Sequence, residues 1–245
     1  MYEIPDYSIE PSPRWVRAYF NKELVADSRE MVLFFERPYP NYFFPRRDVR
    51  MDFLHKSEHT EYREGRGLTE FWHLLVKGER VENAAFSHRD QGMQAYLTFK
   101  WAVMERWLEE EEEIFVHARN PYHRVDAVPS SRRIEVHLGG EQLAASDKPV
   151  LLFETGLPTR YYLPREDVHM ELLEATETVT RCPYKGIAET FGVRITDAFH
   201  ADYAWSYPAP LAACANIENR ICFYNEVVDI REDGKLLPRP DTHFK

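Results

Sequence analysis

Cys182, Tyr184 and Lys185 fall within four residues of one another in Thr180-Arg181-Cys182-Pro183-Tyr184-Lys185-Gly186, where Pro183 and Gly186 shape a turn. An ammonium beside a thiol promotes nucleophilic attack or holds an anionic group itself, and a neighbouring phenol adds a hydrogen-bond donor. Packing accounts for the same residues equally well, with Cys182 a small buried hydrophobe, Tyr184 packed and Lys185 in water. A second set, His117, Tyr122, His123, Arg124 and Asp126, clusters near mid-chain. Arginine offers a planar fork to a carboxylate or phosphate, and His123 with Asp126 has the composition of a general-base pair. The favoured alternative is an inter-domain clasp in which Arg124 and Asp126 satisfy each other, a place where clefts also form.

Other spacings are weaker. His55-Lys56-Ser57-Glu58-His59 fits the pattern H-x-x-E-H, which on a long helix sets two imidazoles on one face for zinc. The stretch is polar and surface-like, so no metal is expected there. Glu109 to Glu113, five consecutive carboxylates, reads as a solvated face. Trp205 and Tyr207 read as core or pocket-wall aromatics. The chain has no GxxxxGK[ST] loop and no GxGxxG turn to cradle phosphates, and no cofactor is expected.

Composition narrows the partners. Lys and Arg number 31 against 41 Asp and Glu, for a net charge of −10, and 44% of residues are apolar. That content closes a core, while the acidic balance argues against nucleic acid and anionic membranes, both of which need concentrated Lys and Arg. Three cysteines with no CxxC pair suit reduced thiols. Apolar runs such as 31–35 and 150–153 are far short of the ~20 residues that cross a bilayer, so no membrane span is expected. The opening residues Met1 to Asp6 carry neither the basic nor the apolar run of an export signal, and a cytoplasmic location is expected.

The elements that position these residues occur twice. Tyr42-Phe43-Phe44-Pro45-Arg46-Arg47-Asp48-Val49 recurs as Tyr161-Tyr162-Leu163-Pro164-Arg165-Glu166-Asp167-Val168, an offset of 164 − 45 = 119. The same offset carries Gly67-Leu68 onto Gly186-Ile187 and Ala85-Phe86-Ser87-His88 onto Ala204-Trp205-Ser206-Tyr207. Upstream, Leu33-Phe34-Phe35-Glu36 returns as Leu151-Leu152-Phe153-Glu154. Repetition at this scale means two like units rather than one large domain. Twice 119 is 238, seven short of the 245 residues. The alternation of Ile134, Val136 and Leu138 with Glu135 and His137, and of Val16, Ala18 and Phe20 with polar residues, predicts antiparallel strands. Trp101, Met104, Trp107 and Leu108 have helical spacing and predict one short amphipathic helix. The expected boundaries are 14–113 for the first unit, 114–132 for a packed connector and 133–235 for the second. Two fused copies supply the interface a single copy would gain by dimerising, so a monomer with internal pseudo-two-fold symmetry is expected.

The Thr180 to Gly186 segment, Ala204-Trp205-Ser206-Tyr207 and the Tyr42 to Val49 segment resemble, in tandem form, the family catalogued as domain of unknown function 427. The resemblance runs from about Arg14 to Asp233. It implies a mainly β fold made of two small β-tent (Mss4-like) antiparallel sheet domains with a short helix. Other β-tent proteins usually carry two CxxC zinc knuckles, which this chain lacks. A nucleotidyltransferase-like label also attaches to the family, but such chemistry needs paired carboxylates for Mg²⁺, and the chain has no Asp-x-Asp pair. Copy one has Arg63, Glu64, Gly65, Arg66 and Gly67 where copy two has Cys182 to Gly186, so thiol and phenol belong to copy two alone. The expected function is binding of a small molecule, anionic ones included, by Tyr184, Lys185, Trp205, Tyr207, Tyr122 and Arg124. The alternative is an enzyme using Cys182 with Lys185, or the His123 and Asp126 pair.

Overall fold

A computed structural model of the chain describes residues 7–36, 39–63, 67–89 and 92–242. The chain divides into two units, Met1–Asn120 and Pro121–Lys245. The first holds β1 (Tyr7–Pro11), β2 (Val16–Phe20), β3 (Glu23–Ser28), β4 (Val32–Glu36), β5 (Pro40–Pro45), β6 (Leu54–Arg63), β7 (Gly67–Val76), β8 (Glu79–His88), β9 (Tyr96–Phe99), β10 (Arg106–Glu109) and β11 (Glu112–Ile114). The second holds β12 (Val125–Pro129), β13 (Ile134–Leu138), β14 (Glu141–Ser146), β15 (Val150–Glu154), β16 (Arg160–Leu163), β17 (Leu173–Cys182), β18 (Gly186–Ile195), β19 (Ala198–Ser206), β20 (Ile221–Phe223), β21 (Asp229–Glu232) and β22 (Lys235–Leu236).

Strand order is the same in both. A seven-stranded sheet runs β1-β4-β5-β9-β8-β7-β6 in the first unit and β12-β15-β16-β20-β19-β18-β17 in the second. A four-stranded sheet, β11-β10-β2-β3 or β22-β21-β13-β14, packs against it. The mainly β class and the two tandem antiparallel domains are therefore as the sequence implies. Each core lies between the two sheets, and the alternation that predicts strands sets its register: Val16, Ala18 and Phe20 on β2 are buried, as are Ile134 and Val136 on β13. Bulges interrupt β6–β7 and β7–β8, and the same breaks recur in β17–β18 and β18–β19. Bulges sharpen twist and bend, and they fall in the longest strands of each unit.

The helical elements among the described residues are short 3-10 turns, the longest being Ala212–Ile217. None is long and apolar enough to cross a membrane. The amphipathic helix expected over Trp101 to Leu108 is instead a 3-10 turn, Trp101–Val103, followed by strand β10. Trp101 still stacks on Trp107, centroids 4.6 Å apart. A lone two-turn helix is marginal in water, whereas β10 completes a hydrogen-bonded ladder with β2. The Glu109 to Glu113 run is not a uniform solvated face. It forms the β10–β11 hairpin with Glu110 at φ +53, and Glu109 is buried at 4% exposure. The expected connector divides as well: Ile114 ends β11, and Val125–Pro129 is an edge strand paired with β15.

Two polar clasps occur in both units. Glu109 accepts from Arg14 (2.8 Å) and from the Tyr42 hydroxyl (3.1 Å). At the matching place Glu232 accepts from Arg132 (3.2 Å) and the Tyr161 hydroxyl (3.2 Å). Ser28 donates to Asp48 and Ser146 to Asp167, each at 2.6 Å, tying β3 or β14 to the turn after β5 or β16. Interactions present in both copies serve the fold. Tyr42→Phe removes a donor from a buried carboxylate and is expected to cost about 1–3 kcal/mol in urea unfolding. Tyr161→Phe is expected to cost less, because the Glu232 side chain is 22% exposed against 3% for Glu109.

Candidate functional site

The second unit's large sheet has an outer face turned away from the four-stranded sheet. Alternation along β15 puts Val150, Leu152 and Glu154 on it, along β16 Arg160 and Tyr162, and along β19 Trp205, with Tyr207 just past its end. The 3-10 segment Ala212–Ile217 covers part of this face, with Cys214 and Ile217 buried there. At the corresponding positions the first unit has Phe34 for Leu152, Phe43 for Tyr162, Phe86 for Trp205 and His88 for Tyr207. One copy therefore fills the face with phenylalanine, while the other installs phenols, an indole and, with Arg160 for Asn41, a guanidinium.

Charge gathers where the face closes. Lys185, 9% exposed, donates from Nζ to Glu154 Oε2, and His123 Nε2 lies 3.0 Å from Glu154 Oε1. Strands β15 and β18 are four places apart in the sheet, which when flat would separate them by roughly 19 Å. A lysine side chain does not span that gap, so the sheet curls and is concave on this face. Three further contacts hold the curl. Tyr184 stacks on His123 with centroids 4.3 Å apart, Asn216 Nδ2 donates to Ala127 O on β12 (2.9 Å), and Leu211 N donates to Lys185 O (3.0 Å). Gly186, at φ +102, permits the last of these. A Cβ there would sit 3.4 Å from Ala209 O and in a left-handed conformation that other residues avoid.

The electrostatics follow from burial and pairing. Burial alone favours a neutral Lys185, but the Cys182 sulfur and the Glu154 carboxylate outweigh it and raise the ammonium above its ordinary range. Burial likewise favours protonated Glu154, and the charge and hydrogen bond of Lys185, with the hydrogen bond of His123, hold it below the usual carboxylate value. Cys182 at the end of β17 is partly exposed. The other two thiols are buried, which pushes Cys214 up to about 11 and Cys222 up to about 12. A second buried pair lies on the same face. Arg160 meets Glu226 through two 2.7 Å bonds, with its guanidinium 5.6 Å from the rings of Trp205 and Tyr224.

Of the residues singled out in the sequence, Lys185 and His123 meet at Glu154, Tyr184 stacks on His123, and Cys182 ends the strand that leads into the same turn. Tyr207 is buried on the same face, and Trp205 donates to the Tyr162 hydroxyl at 3.0 Å. Arg124 and Tyr122 stand apart, their residues or side chains 80% and 67% exposed. Asp126 is not the partner of His123. It pairs with Arg124 at 2.7 Å, and strand alternation turns it to the opposite face from Glu154, which lies across from Val125. His117 belongs to the first unit, stacked on Tyr39. His55 and His59 lie in strand β6, not on a helix, and His59 packs on Phe71 and bonds Glu61. Glu64, Gly65 and Arg66 lie outside the described residues. Sequence reasoning missed Glu154, Arg160 and Glu226. The signal for Glu154 was present, since a glutamate closes the same apolar run in both copies.

Residues 8–110 and 126–234 each match a family model named NTP_transf_9 and described as Domain of unknown function (DUF427). The chain belongs to this family. No curated protein matches it. Both DUF427 copies share the paired sheets, while Cys182 and Tyr184 are carried by the second alone and Arg66 and Glu36 stand in the first at the positions of Lys185 and Glu154.

Removing Lys185 leaves a buried carboxylate without its cation. Lys185→Met is expected to destabilise the second DUF427 unit by about 3–5 kcal/mol in urea unfolding, and the double variant Lys185→Met, Glu154→Gln by less. The pair also fixes a pH window. Glu154, lowered in the folded state, contributes fully above its ordinary value of 4.5, and that contribution is lost as pH falls through the folded value. Lys185, raised in the folded state, contributes fully below 10.5, and that contribution is lost as pH rises through the folded value. Denaturant midpoints across pH are expected to show both losses in the wild type and neither in the double variant.

Proposed function

We propose that the second unit binds a small molecule at the closure of its curled sheet, with an anionic or carbonyl oxygen on Lys185 and a planar group beside Tyr184. The observation that carries this reading is the Lys185, Glu154, His123 and Cys182 cluster on a concave face that the first unit lines with phenylalanine. An ammonium has three donors. Glu154 engages one of them, and a ligand oxygen is a natural acceptor for another. Perturbed titrating groups gathered in a concavity are what binding and active sites have in common. The net charge of −10 favours a small molecule over a nucleic acid.

Nucleotidyl transfer, which the family model's name evokes, draws no support from this face. Such chemistry needs carboxylates available to a divalent metal, and Glu154 and Glu226 are each engaged by a lysine or arginine. An enzymatic reading through Cys182 is favoured by its partial exposure and by its place three residues before Lys185.

A panel of aliphatic and aromatic carboxylates titrated into the full chain, read by amide chemical shifts, tests the binding reading. Shifts are expected at Tyr184, Lys185 and Gly186 and are expected to vanish in Lys185→Gln. Shifts confined to the first unit, or none from any carboxylate in the panel, would overturn it.

A further inference from the structure

We propose that the molecule bound by the second unit is a planar carboxylate, with one oxygen on the Lys185 ammonium and the other on the Tyr207 hydroxyl. This rests on the ligand-binding reading and adds to it a ligand class and the residue that selects it. Tyr207 is 4% exposed, and its hydroxyl has no hydrogen-bond partner among the described residues. The other buried phenols have one: Tyr42 bonds Glu109, Tyr161 bonds Glu232, and Tyr162 accepts from the Trp205 indole. A buried phenol ordinarily finds a partner, and a buried donor left without one is costly. The repeat shows how the hydroxyl comes to stand alone. In the first unit the ring at this position is His88, whose Nδ1 lies 3.0 Å from Thr69 Oγ1. The residue matching Thr69 is Ala188, itself fully buried, so the second unit keeps a polar ring and removes the neighbour that would satisfy it. Packing alone does not call for the hydroxyl, since the first unit closes the same face with Phe34, Phe43 and Phe86.

The fold brings this phenol to the lysine. Glu189 faces Ser206 and Thr190 faces Trp205, so the same register sets Tyr207 across from Ala188, and Lys185 lies three residues before Ala188. Leu211 N donates to Lys185 O at 3.0 Å, which folds the chain just past Tyr207 back onto the lysine. Tyr207 packs with Leu152 and Tyr162 on the face that Glu154 closes. Burial, with the charges of Cys182 and Glu154 adding to it, raises the phenol well above its ordinary value, so it stays protonated and keeps a hydrogen to donate. Lys185 is a donor only, and Glu154 takes one of its three hydrogens. Two donors on one face call for a group with two acceptors and no hydrogen of its own. A carboxylate is that group, and hydrogen bonds to its charge are the strong ones. A conjugated body continues its plane toward Tyr184, whose ring is held flat against His123. The first unit has His88 and Thr69 bonded to each other in place of Tyr207 and Ala188, which confines the selection to the second.

The probes are benzoate and acetophenone, alike in shape except that a methyl replaces one oxygen, titrated into the full chain and followed by amide chemical shifts. Benzoate is expected to shift Tyr184, Lys185 and Gly186 and to bind more tightly than acetophenone. In Tyr207→Phe the benzoate affinity is expected to fall about 10–100-fold, the range for one hydrogen bond to a charged group, while acetophenone binding is unchanged. The urea midpoint of the unliganded variant is expected not to fall, because the hydroxyl it loses has no partner in the fold. A lowered midpoint in Tyr207→Phe, or benzoate bound equally by both chains, would overturn the proposal and leave the binding reading standing. So would a second unit that answers other carboxylates and not benzoate. No response there to any carboxylate would remove both.

Discussion

The ion pair between Lys185 and Glu154 is the contact on which the second unit's character depends. It joins two strands separated by three others in the sheet order, and it exists because the sheet curls far enough to bring its far hairpin back over its own face. Everything near it follows. Tyr184 reaches His123, the Ala209 to Leu211 backbone lies against Gly186, and the 3-10 segment through Cys214 is held between the hairpin turn and the edge strand β12. Curl comes from β twist amplified by the bulges in the long hairpin strands. The ion pair then locks the curvature that the backbone supplies.

An internal repeat separates folding from function without recourse to any other protein. Arg14, Glu109 and Tyr42 reappear as Arg132, Glu232 and Tyr161, and Ser28 with Asp48 reappears as Ser146 with Asp167. Both copies need these bonds to bind the small sheet to the large one and to fix the turn after the fifth strand. The outer face departs from that rule. Where His88 rests between Phe34 and Phe43 in the first unit, Tyr207 faces Tyr162 in the second, and Asn41 is replaced by Arg160 with its buried partner Glu226.

The architecture was largely legible in the sequence because repetition and two-residue alternation are local signals. Val16, Ala18 and Phe20, or Ile134 and Val136, report their own burial. The helical spacing of Trp101, Met104, Trp107 and Leu108 misled because a 3-10 turn followed by a strand puts the same residues on one side, and the partner strand β2 that decides the matter lies some ninety residues earlier. The site was half legible. Cys182, Tyr184 and Lys185 are neighbours in the chain and drew attention for that reason. Glu154 lies 31 residues upstream of Lys185 and meets it only through the curl of the sheet, which no local pattern encodes. The pairing of His123 with Asp126 had a similar flaw: three residues apart in sequence looks close, yet a strand turns alternate side chains to opposite faces, and Glu154 across the ladder is the nearer acid.

The energetics bear on why the second face is polar at all. Replacing a buried ion pair with well-packed apolar residues is often neutral or stabilising by 1–4 kcal/mol. The first unit shows that this sheet order closes with Val32, Phe34, Phe43 and Met93 packed on the same face. Stability of the fold alone therefore does not call for the buried pair of Arg160 with Glu226, since Asn41 stands in the place of Arg160 in the first unit. Nor does solubility, since both side chains are largely withdrawn from water. What the pair of Lys185 and Glu154 supplies is a fixed ammonium and a carboxylate held ionised in a site shielded from water, at positions where the first unit's sequence has Arg66 and Glu36. The rings around the pair are the second unit's own, with Tyr162, Tyr207 and Trp205 standing where the first unit packs Phe43, His88 and Phe86.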